Sequence, residues 1–227
     1  MKLLAIDAST EACSAALIIS DKSIERYEVA PRKHAELILP MIDSLLSEAE
    51  LTFSQLDALA FGRGPGSFTG LRIAAGVIQG IAFGAELPVV PVSSLAALAQ
   101  GAYRTFSVDK ILAGFDARMH EVYWSMYQPG ASGLVELIGE ESVCKPDRIP
   151  LPDGVNWTGV GSAWQVYSDA LQLRLGHGIS DWHSDCYPHA QDIAILGVEL
   201  FRQGKMVSTE YAVPVYLRDN VVSVRQG

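Results

Sequence analysis

The order of apolar and polar positions along the chain predicts short strands alternating with amphipathic helices. Residues 2–20 begin with an apolar run, turn at Asp7–Thr10 and continue with a second apolar run, which predicts a β-hairpin. Residues 34–49 place apolar side chains at helical spacing over about half of the circumference, which predicts a helix. The same reasoning predicts strands at 56–61, 88–92, 112–117, 121–127, 134–138 and 157–160, and helices at 93–102, 163–173 and 191–202.

A glycine-rich stretch from Gly62 to Gly84 lies between two of these strands and reads GRGPGSFTGLRIAAGVIQGIAFG. Its first part predicts a loop, because glycine can adopt positive φ and proline fixes φ. From Leu71 to Gly84 the apolar positions recur at helical spacing, so a helix follows, with Ser67 or Thr69 as its cap. The residues of the loop and of the first helical turn that form its signature are Gly64, Pro65, Gly66, Ser67, Thr69, Gly70 and Arg72.

Two interpretations of this loop remain open. Backbone N–H groups at the start of a helix can bind an anion, whereas a tight strand-to-helix turn needs the same glycines without a ligand. The loop matches neither standard phosphate motif. No lysine lies between Gly62 and Gly84, as a P-loop requires, and Thr69 occupies the place of the third glycine of a dinucleotide fingerprint.

The helix after the loop is apolar on nearly all sides, with one arginine and one glutamine interrupting it. Gly76, Gly80 and Gly84 recur at every fourth position on one stripe. An interior glycine costs about 1 kcal/mol relative to alanine, so three in register predict that a second backbone comes close, from this chain or from another subunit. A glutamate and a proline interrupt the stretch before it reaches the ~20 apolar residues of a membrane span.

The wide apolar arc of the 34–49 helix predicts a second surface of the same kind. One side of that helix can cover a sheet, and the other leaves an apolar stripe for another helix. His34, next to two basic residues, is expected at the exposed start of the helix. We expect a partner to contact both helices through Leu37, Met41, Leu45, Ile73, Gly76, Val77, Gly80 and Gly84.

The N-terminal pattern returns in the second half of the chain. Leu3–Ala8 and Leu112–Ala117 are each an apolar strand that ends in Asp-Ala before a turn and a second strand. The repeat predicts two similar lobes, residues 1–105 and 106–227, with the last helix packing back on the first lobe. Asp7 could meet a phosphate or a magnesium-bound water, or it could cap its own turn. The residues expected to face a shared cleft are Asp7, Ser9, Thr10, Asp116 and Gly161.

Composition and charge narrow the function classes. Of the 227 residues, 49% are hydrophobic and 19% are charged, which is typical of a folded protein with a substantial core. A net charge of −9, with no run of more than two basic residues, would repel a nucleic-acid backbone, so we do not expect the chain alone to bind nucleic acid. Three widely spaced cysteines without a CxxC motif, and no secretory signal pattern, predict a reducing cytoplasm.

Residues 177–192 contain a cluster that resembles a set of metal ligands. His177, His183, Cys186 and His189, with two aspartates, offer atoms that zinc accepts, but their spacing matches no standard zinc motif. We therefore expect an irregular polar loop here, and no bound metal or cofactor.

Several motifs, taken in order, resemble one known family. LLAIDASTEACSAAL, GRGPGSFTGLRIAAGVIQGIAFG, PVVPVSSLAAL, FDARMHEVY and PVYLRD are similar to the TsaB (YeaZ) family of bacterial tRNA threonylcarbamoyladenosine biosynthesis proteins. GPGSFTGLR and DARMHEVY are the specific parts of this likeness, which covers nearly the whole chain. The resemblance implies an α/β, two-lobed fold of the actin/Hsp70/sugar-kinase (ribonuclease H-like) type, with mixed sheets flanked by helices.

The same resemblance implies a cytoplasmic subunit of the machinery that modifies adenosine 37 of tRNAs reading ANN codons. In that family the transfer is performed by a catalytic paralogue, TsaD, together with an ATPase, TsaE. TsaB dimerises with TsaD, or with itself when alone. The resemblance therefore implies that tRNA is reached only through the complex and that no membrane is involved.

One motif of the catalytic paralogue is missing from the matching place in this chain. The paralogue carries a metal-binding HxxxH after the corresponding strand, where this sequence has Ser94 and Leu98. A leucine side chain has no lone pair and a serine hydroxyl is a poor neutral ligand, so this pair would not hold iron or zinc.

Three hypotheses follow for the function. In the first, the chain is a non-catalytic subunit that binds the transferase through its two apolar helices. In the second, it is an ATPase or small-molecule kinase that uses Asp7, Asp116 and Gly161, which a nucleotide titration would reveal. In the third, it is an M22-type metallopeptidase, which metal analysis of the purified chain would test.

Overall fold

A computed structural model describes residues 1–20 and 22–218, which form two five-stranded sheets and five α-helices. The first sheet contains β1 (Lys2–Asp7), β2 (Ala12–Ile19), β3 (Lys22–Val29), β4 (Ala58–Gly64) and β5 (Val89–Ser93). The second contains β6 (Ile111–Asp116), β7 (Val122–Pro129), β8 (Val135–Cys144), β9 (Trp157–Val160) and β10 (Ile179–His183). The helices are α1 (His34–Glu48), α2 (Phe68–Ala85), α3 (Ser94–Phe106), α4 (Ser162–Leu175) and α5 (Ala190–Arg202).

The two sheets have the same topology. Their strand orders are β3-β2-β1-β4-β5 and β8-β7-β6-β9-β10. In each, the first three strands form an antiparallel meander and the last two run parallel to the first. Helix α1 follows the meander in the first lobe, whereas a short 3₁₀ turn at Pro146–Arg148 takes its place in the second. The predicted two-lobed α/β fold with mixed sheets flanked by helices is thus confirmed.

The helices divide the structure into layers. Helices α1 and α2 cover the outer face of the first sheet, α4 covers the second, and α3 and α5 lie between the sheets. The side chains between the sheets are small or branched, so two helices fit there; they include Leu3, Ala5, Ala60, Val92, Leu95, Ala99, Ile111, Ala113, Ile193 and Ala194.

Helix α5 belongs to the second half of the sequence but is anchored on the first sheet. Two backbone N–H groups at its start donate hydrogen bonds of 2.9 Å to Ser14 Oγ and to a carboxylate oxygen of Glu25. The Arg104 guanidinium of α3 makes a bidentate ion pair with the buried Asp192 of α5, at 3.0 and 2.9 Å. Polar bonds therefore fix α5 at both the sheet and the neighbouring helix.

Three local features differ from what the sequence pattern suggests. β3 was not predicted, and β10 occupies part of the stretch expected to be an irregular loop. Both are edge strands with exposed polar side chains, so they carry no clear hydrophobic alternation. His34 is buried rather than exposed. Its ring makes a hydrogen bond with the Thr10 carbonyl oxygen, which lies 2.8 Å from Nε2.

The glycine-rich helix begins and ends close to its predicted bounds. Helix α2 starts three residues earlier than predicted, and Ser67 caps it by accepting a hydrogen bond from the Gly70 N–H at 3.4 Å. It ends after Ala85, where Glu86 adopts the left-handed conformation. At 18 residues and a mean hydropathy of 1.3, α2 is long and apolar enough to cross a membrane by length and composition alone, which for a single helix is weak evidence of a span; a third of it is buried.

We expect glycine-to-alanine changes within α2 to have opposite effects on stability. An added Cβ at Gly70 would overlap the carbonyl oxygen of Ala8, so Gly70→Ala should destabilise the fold by about 1–3 kcal/mol. An added Cβ at Gly76 would have no atom within 4 Å, so Gly76→Ala should stabilise the fold by up to ~1 kcal/mol. Urea denaturation of dilute protein measures both, and equal effects of the two changes would contradict this packing.

Candidate functional site

Asp7 is the last residue of β1 and is fully buried. Its Oδ1 accepts hydrogen bonds from the Ser9 backbone N–H at 3.0 Å and from the Ser9 hydroxyl at 2.9 Å. Its Oδ2 lies over Gly62 and has no hydrogen-bond partner among the described residues. Burial raises the pKa of this carboxyl from 3.8 to about 7, although the two bonds from Ser9 act in the opposite direction. Asp7 therefore caps its own turn.

Asp116 occupies the equivalent position at the end of β6. Its Oδ1 accepts hydrogen bonds from the Arg118 backbone N–H at 2.9 Å and from the Tyr167 hydroxyl at 3.1 Å. Its Oδ2 pairs with the Arg118 guanidinium at 3.0 Å. The chain's own groups thus already neutralise this carboxylate.

A cleft of about 750 Å³ separates the lobes at these strand ends. Asp7 and Gly161 do not line it. Gly161 has a φ of 98°, and an added Cβ would overlap the Gly114 carbonyl oxygen, so the backbone alone explains this glycine. Of the residues expected to face the cleft, Ser9, Thr10 and Asp116 line it; Gly66, Ser67 and Thr69 of the signature loop line it as well.

The signature loop is held by protein acceptors. The Gly64 N–H donates to Ser94 Oγ at 3.2 Å, and the Ser67 N–H donates to the Ser9 carbonyl at 2.7 Å. An added Cβ at Gly66 would overlap the same Ser9 carbonyl oxygen, so glycine permits this close approach. These contacts favour the interpretation of the loop as a tight strand-to-helix turn.

Arg72 connects α2 to the C-terminal segment. Its guanidinium carbon lies 3.8 Å from the centre of the Phe68 ring, and its Nε donates to the Tyr216 hydroxyl at 3.2 Å. The Val215 N–H donates to the Arg63 carbonyl at 2.8 Å. The C-terminal segment thus packs against β4 and α2, whereas residue 219 of the PVYLRD motif lies outside the described residues.

Two histidines of the candidate metal cluster, His183 and His189, take part in unrelated contacts. His183 stacks on Phe106, with ring centres 3.9 Å apart. His189 stacks on Tyr27 at 4.1 Å and pairs with a Glu25 carboxylate oxygen at 3.0 Å. Within residues 1–20 and 22–218, no group of three or more histidine, cysteine or acidic side chains could hold a metal ion.

The glycine stripe of α2 faces outward. Gly76, Gly80 and Gly84 are exposed, and an added Cβ at any of them would have no atom within 4 Å. Phe83 on the same helix is 82% exposed, while Ile73 and Val77 are partly buried. No backbone within residues 1–20 and 22–218 approaches the stripe, so the close approach predicted from the glycine spacing is not made by the described part of the chain.

Helix α1 contributes less to this surface than its sequence predicts. Met41 and Leu45 lie in the core beneath the helix, which removes them from the expected exposed stripe. Leu37 is only partly buried, and Leu39 is 54% exposed. The helix therefore turns more of its apolar arc towards the sheet than the sequence suggests.

Comparison with known proteins identifies the family. The family model for TsaD, tRNA N6-adenosine threonylcarbamoyltransferase, matches residues 18–226. The tRNA threonylcarbamoyladenosine biosynthesis protein TsaB of Escherichia coli is 42% identical, over 97% of this chain and 96% of the relative. That of Haemophilus influenzae is 41% identical, over 97% and 95%. The chain belongs to the TsaB family.

A solved structure agrees with this assignment. YeaZ from Pseudomonas aeruginosa superimposes with a TM-score of 0.89 at 46% identity, covering 95% of this chain and 99% of that one. The resemblance stated from the sequence motifs is therefore confirmed, and the TsaB-family fold accounts for both lobes.

The place of the paralogue's HxxxH is part of the core in this TsaB-family chain. Ser94 is fully buried at the first position of α3, and its Oγ already accepts a hydrogen bond from the Gly64 N–H. Leu98 is buried one turn later, with a methyl carbon 2.7 Å from where a Cβ on Gly161 would lie. These two side chains do not fit the metal that the transferase motif implies.

The buried Asp7 predicts a measurable pH dependence of stability. Because the pKa is about 7 in the folded chain and 3.8 ordinarily, the stabilisation from Asp7 is complete below about pH 4 and is lost as the pH rises through 7. The stability of Asp7→Asn relative to the parent should therefore increase over this window, by up to about 4 kcal/mol. Urea denaturation at several pH values measures the difference, and Asp43→Asn, at an exposed position of α1, is the matched control. A difference that is constant with pH would contradict the burial of an ionisable Asp7.

Proposed function

We propose that this chain is a non-catalytic subunit in the biosynthesis of threonylcarbamoyladenosine at position 37 of tRNAs that read ANN codons. It dimerises with a TsaD-like catalytic paralogue in the cytoplasm, and a TsaE-like ATPase completes the complex. The tRNA is contacted only through that complex. Relatives that carry the name of this pathway align with nearly the full chain, which supports the assignment.

The observation that carries the proposal is the outward face of α2. From residue 73 to residue 85 the helix contains no charged side chain, and its three glycines and Phe83 are exposed. Such a face is costly to leave in water, and small residues allow another helix backbone to pack closely. The surface therefore suits a partner helix that is itself apolar.

The neighbouring helix extends this face. Helix α1 packs beside α2 and carries the exposed Leu39. A partner with the same fold would present the same two helices, and two such pairs can form a four-helix contact around a twofold axis. The same face allows the chain to form a homodimer when the paralogue is absent.

The contacts of the polar side chains support the proposal that this subunit is non-catalytic. Ser94 and Leu98 replace the metal-binding pair and are committed to core packing. Of the carboxylates that an ATPase would use, Asp7 is buried and does not line the cleft, and Asp116 is paired with Arg118. These contacts favour the first of the three hypotheses over the kinase and the metallopeptidase.

Reconstitution tests the proposal directly. The chain should co-purify with the TsaD-like paralogue, and a threonylcarbamoyl-transfer assay on tRNA should lose most of its activity when the chain is left out. The chain alone, or with a TsaE-like ATPase, should not modify tRNA. Full activity of the paralogue without this chain, or turnover by the chain alone, would overturn the proposal.

We expect Phe83→Arg to weaken binding of the paralogue by at least about tenfold, since a large apolar side chain at the centre of an interface is typically worth 2 kcal/mol or more. Gly80→Leu should act in the same direction by blocking the approach of the partner helix. Leu173→Arg is the matched control, because Leu173 is 88% exposed on α4, in the other lobe. Affinities can be measured by isothermal titration, with circular dichroism to confirm folding. Equal losses for Phe83→Arg and Leu173→Arg would argue against this face.

A further inference from the structure

A second cavity, of about 830 Å³, lies between the edge strands β5 and β8, where α3 begins and α5 ends. It shares no lining residue with the cleft at Asp116. Its volume is within the range of small-molecule sites in proteins. Much of its wall is apolar, including Val92, Leu134, Val135, Leu196, Leu200 and Met206.

Arg63 is one of the residues in the wall of this cavity. The Arg63 Nε is buried and makes no hydrogen bond, and no ion pair of Arg63 is found in the described part of the chain. A buried charged donor without an acceptor is costly, so an arrangement of this kind favours an anionic ligand. The planar guanidinium of arginine fits the two oxygens of a carboxylate.

A carboxylate group lines the same cavity. Glu141 Oε1 accepts hydrogen bonds from the Ser93 hydroxyl and, at 3.0 Å, from the hydroxyl of the buried Tyr127. Ser93 is fixed in turn, because its Oγ accepts the Ala96 N–H at 3.2 Å. Two hydroxyls therefore hold the Glu141 carboxylate in place, and no cationic side chain pairs with it within residues 1–20 and 22–218.

The charges around the cavity restrict the class of ligand. Four glutamates line it, at positions 136, 140, 141 and 199, against two cations, Arg63 and Lys205. This excess of negative charge disfavours a phosphate or a dicarboxylate. A ligand with one carboxylate and one ammonium group carries no net charge and satisfies both Arg63 and Glu141.

We propose that this cavity binds a small zwitterion of the α-amino-acid class with an apolar side chain. Its carboxylate binds the Arg63 guanidinium, its ammonium group donates to Glu141, and its side chain packs on the apolar wall. The site is separate from the outward face of α2, so it can bind its ligand whether or not a partner occupies that face.

Three matched probes test this assignment by isothermal titration of the full chain. L-Leucine carries both charges, 4-methylpentanoate only the carboxylate, and 3-methylbutylamine only the ammonium group. We expect leucine to bind with a dissociation constant of about 1 mM or tighter, and each single-charge probe to bind at least about tenfold more weakly. No binding of leucine, or equal binding of 4-methylpentanoate, would overturn the proposal.

Two substitutions assign the charges to residues. Arg63→Gln should weaken the binding of both leucine and 4-methylpentanoate by about tenfold or more. In Glu141→Gln the amide oxygen can still accept hydrogen bonds from Ser93 and Tyr127. This variant should therefore weaken the binding of leucine and leave the binding of 4-methylpentanoate unchanged. Arg32→Gln, in the wall of the other cleft, is the control and should change neither. If leucine binds Arg63→Gln or Glu141→Gln, shown to be folded by circular dichroism, as tightly as the parent chain, the proposal is wrong.

Discussion

The close contact between the glycine loop and the β1–β2 turn determines how the rest of the first lobe is arranged. Gly66 and Gly70 lie against the carbonyl oxygens of Ser9 and Ala8 with no room for a Cβ, and the Ser67 N–H binds the same Ser9 carbonyl at 2.7 Å. Because this contact fixes the first turn of α2, it also fixes the direction of the helix. The outward position of the glycine stripe follows from it.

The two lobes share a topology but use their matching strand ends differently. In the first lobe Asp7 is buried, and the turn after it supports the glycine loop. In the second, Asp116 reaches the cleft but is paired with Arg118 and Tyr167. Each carboxylate thus stabilises its own turn. The two lobes thus enclose a cleft at their matching strand ends, and the acidic group at each of these ends bonds within its own lobe.

Sequence reasoning predicted most of the buried elements and little of the polar detail. The apolar periodicity of β1, β2 and α2 reflects burial on defined faces, so it was readable without coordinates. Edge strand β10 could not be predicted in this way, because its exposed side chains show no alternation of apolar and polar residues. His34 was misplaced for another reason: its partner, the Thr10 carbonyl, is 24 residues away, and no local pattern encodes such a bond. Within residues 1–20 and 22–218 Arg63 has no ion-pair partner, and this likewise depends on which strands meet around it.

The anchoring of α5 has a consequence for movement. In a two-lobed protein, opening and closing requires the halves to rotate about a hinge. Here α5 comes from the second half of the sequence, yet it is bonded to Ser14 and Glu25 of the first sheet and, through Asp192, to α3. A rotation of α5 away from the first sheet would have to break these bonds together. Any hinge between the lobes would therefore leave α5 with the first sheet, although its residues follow those of the second sheet in the sequence.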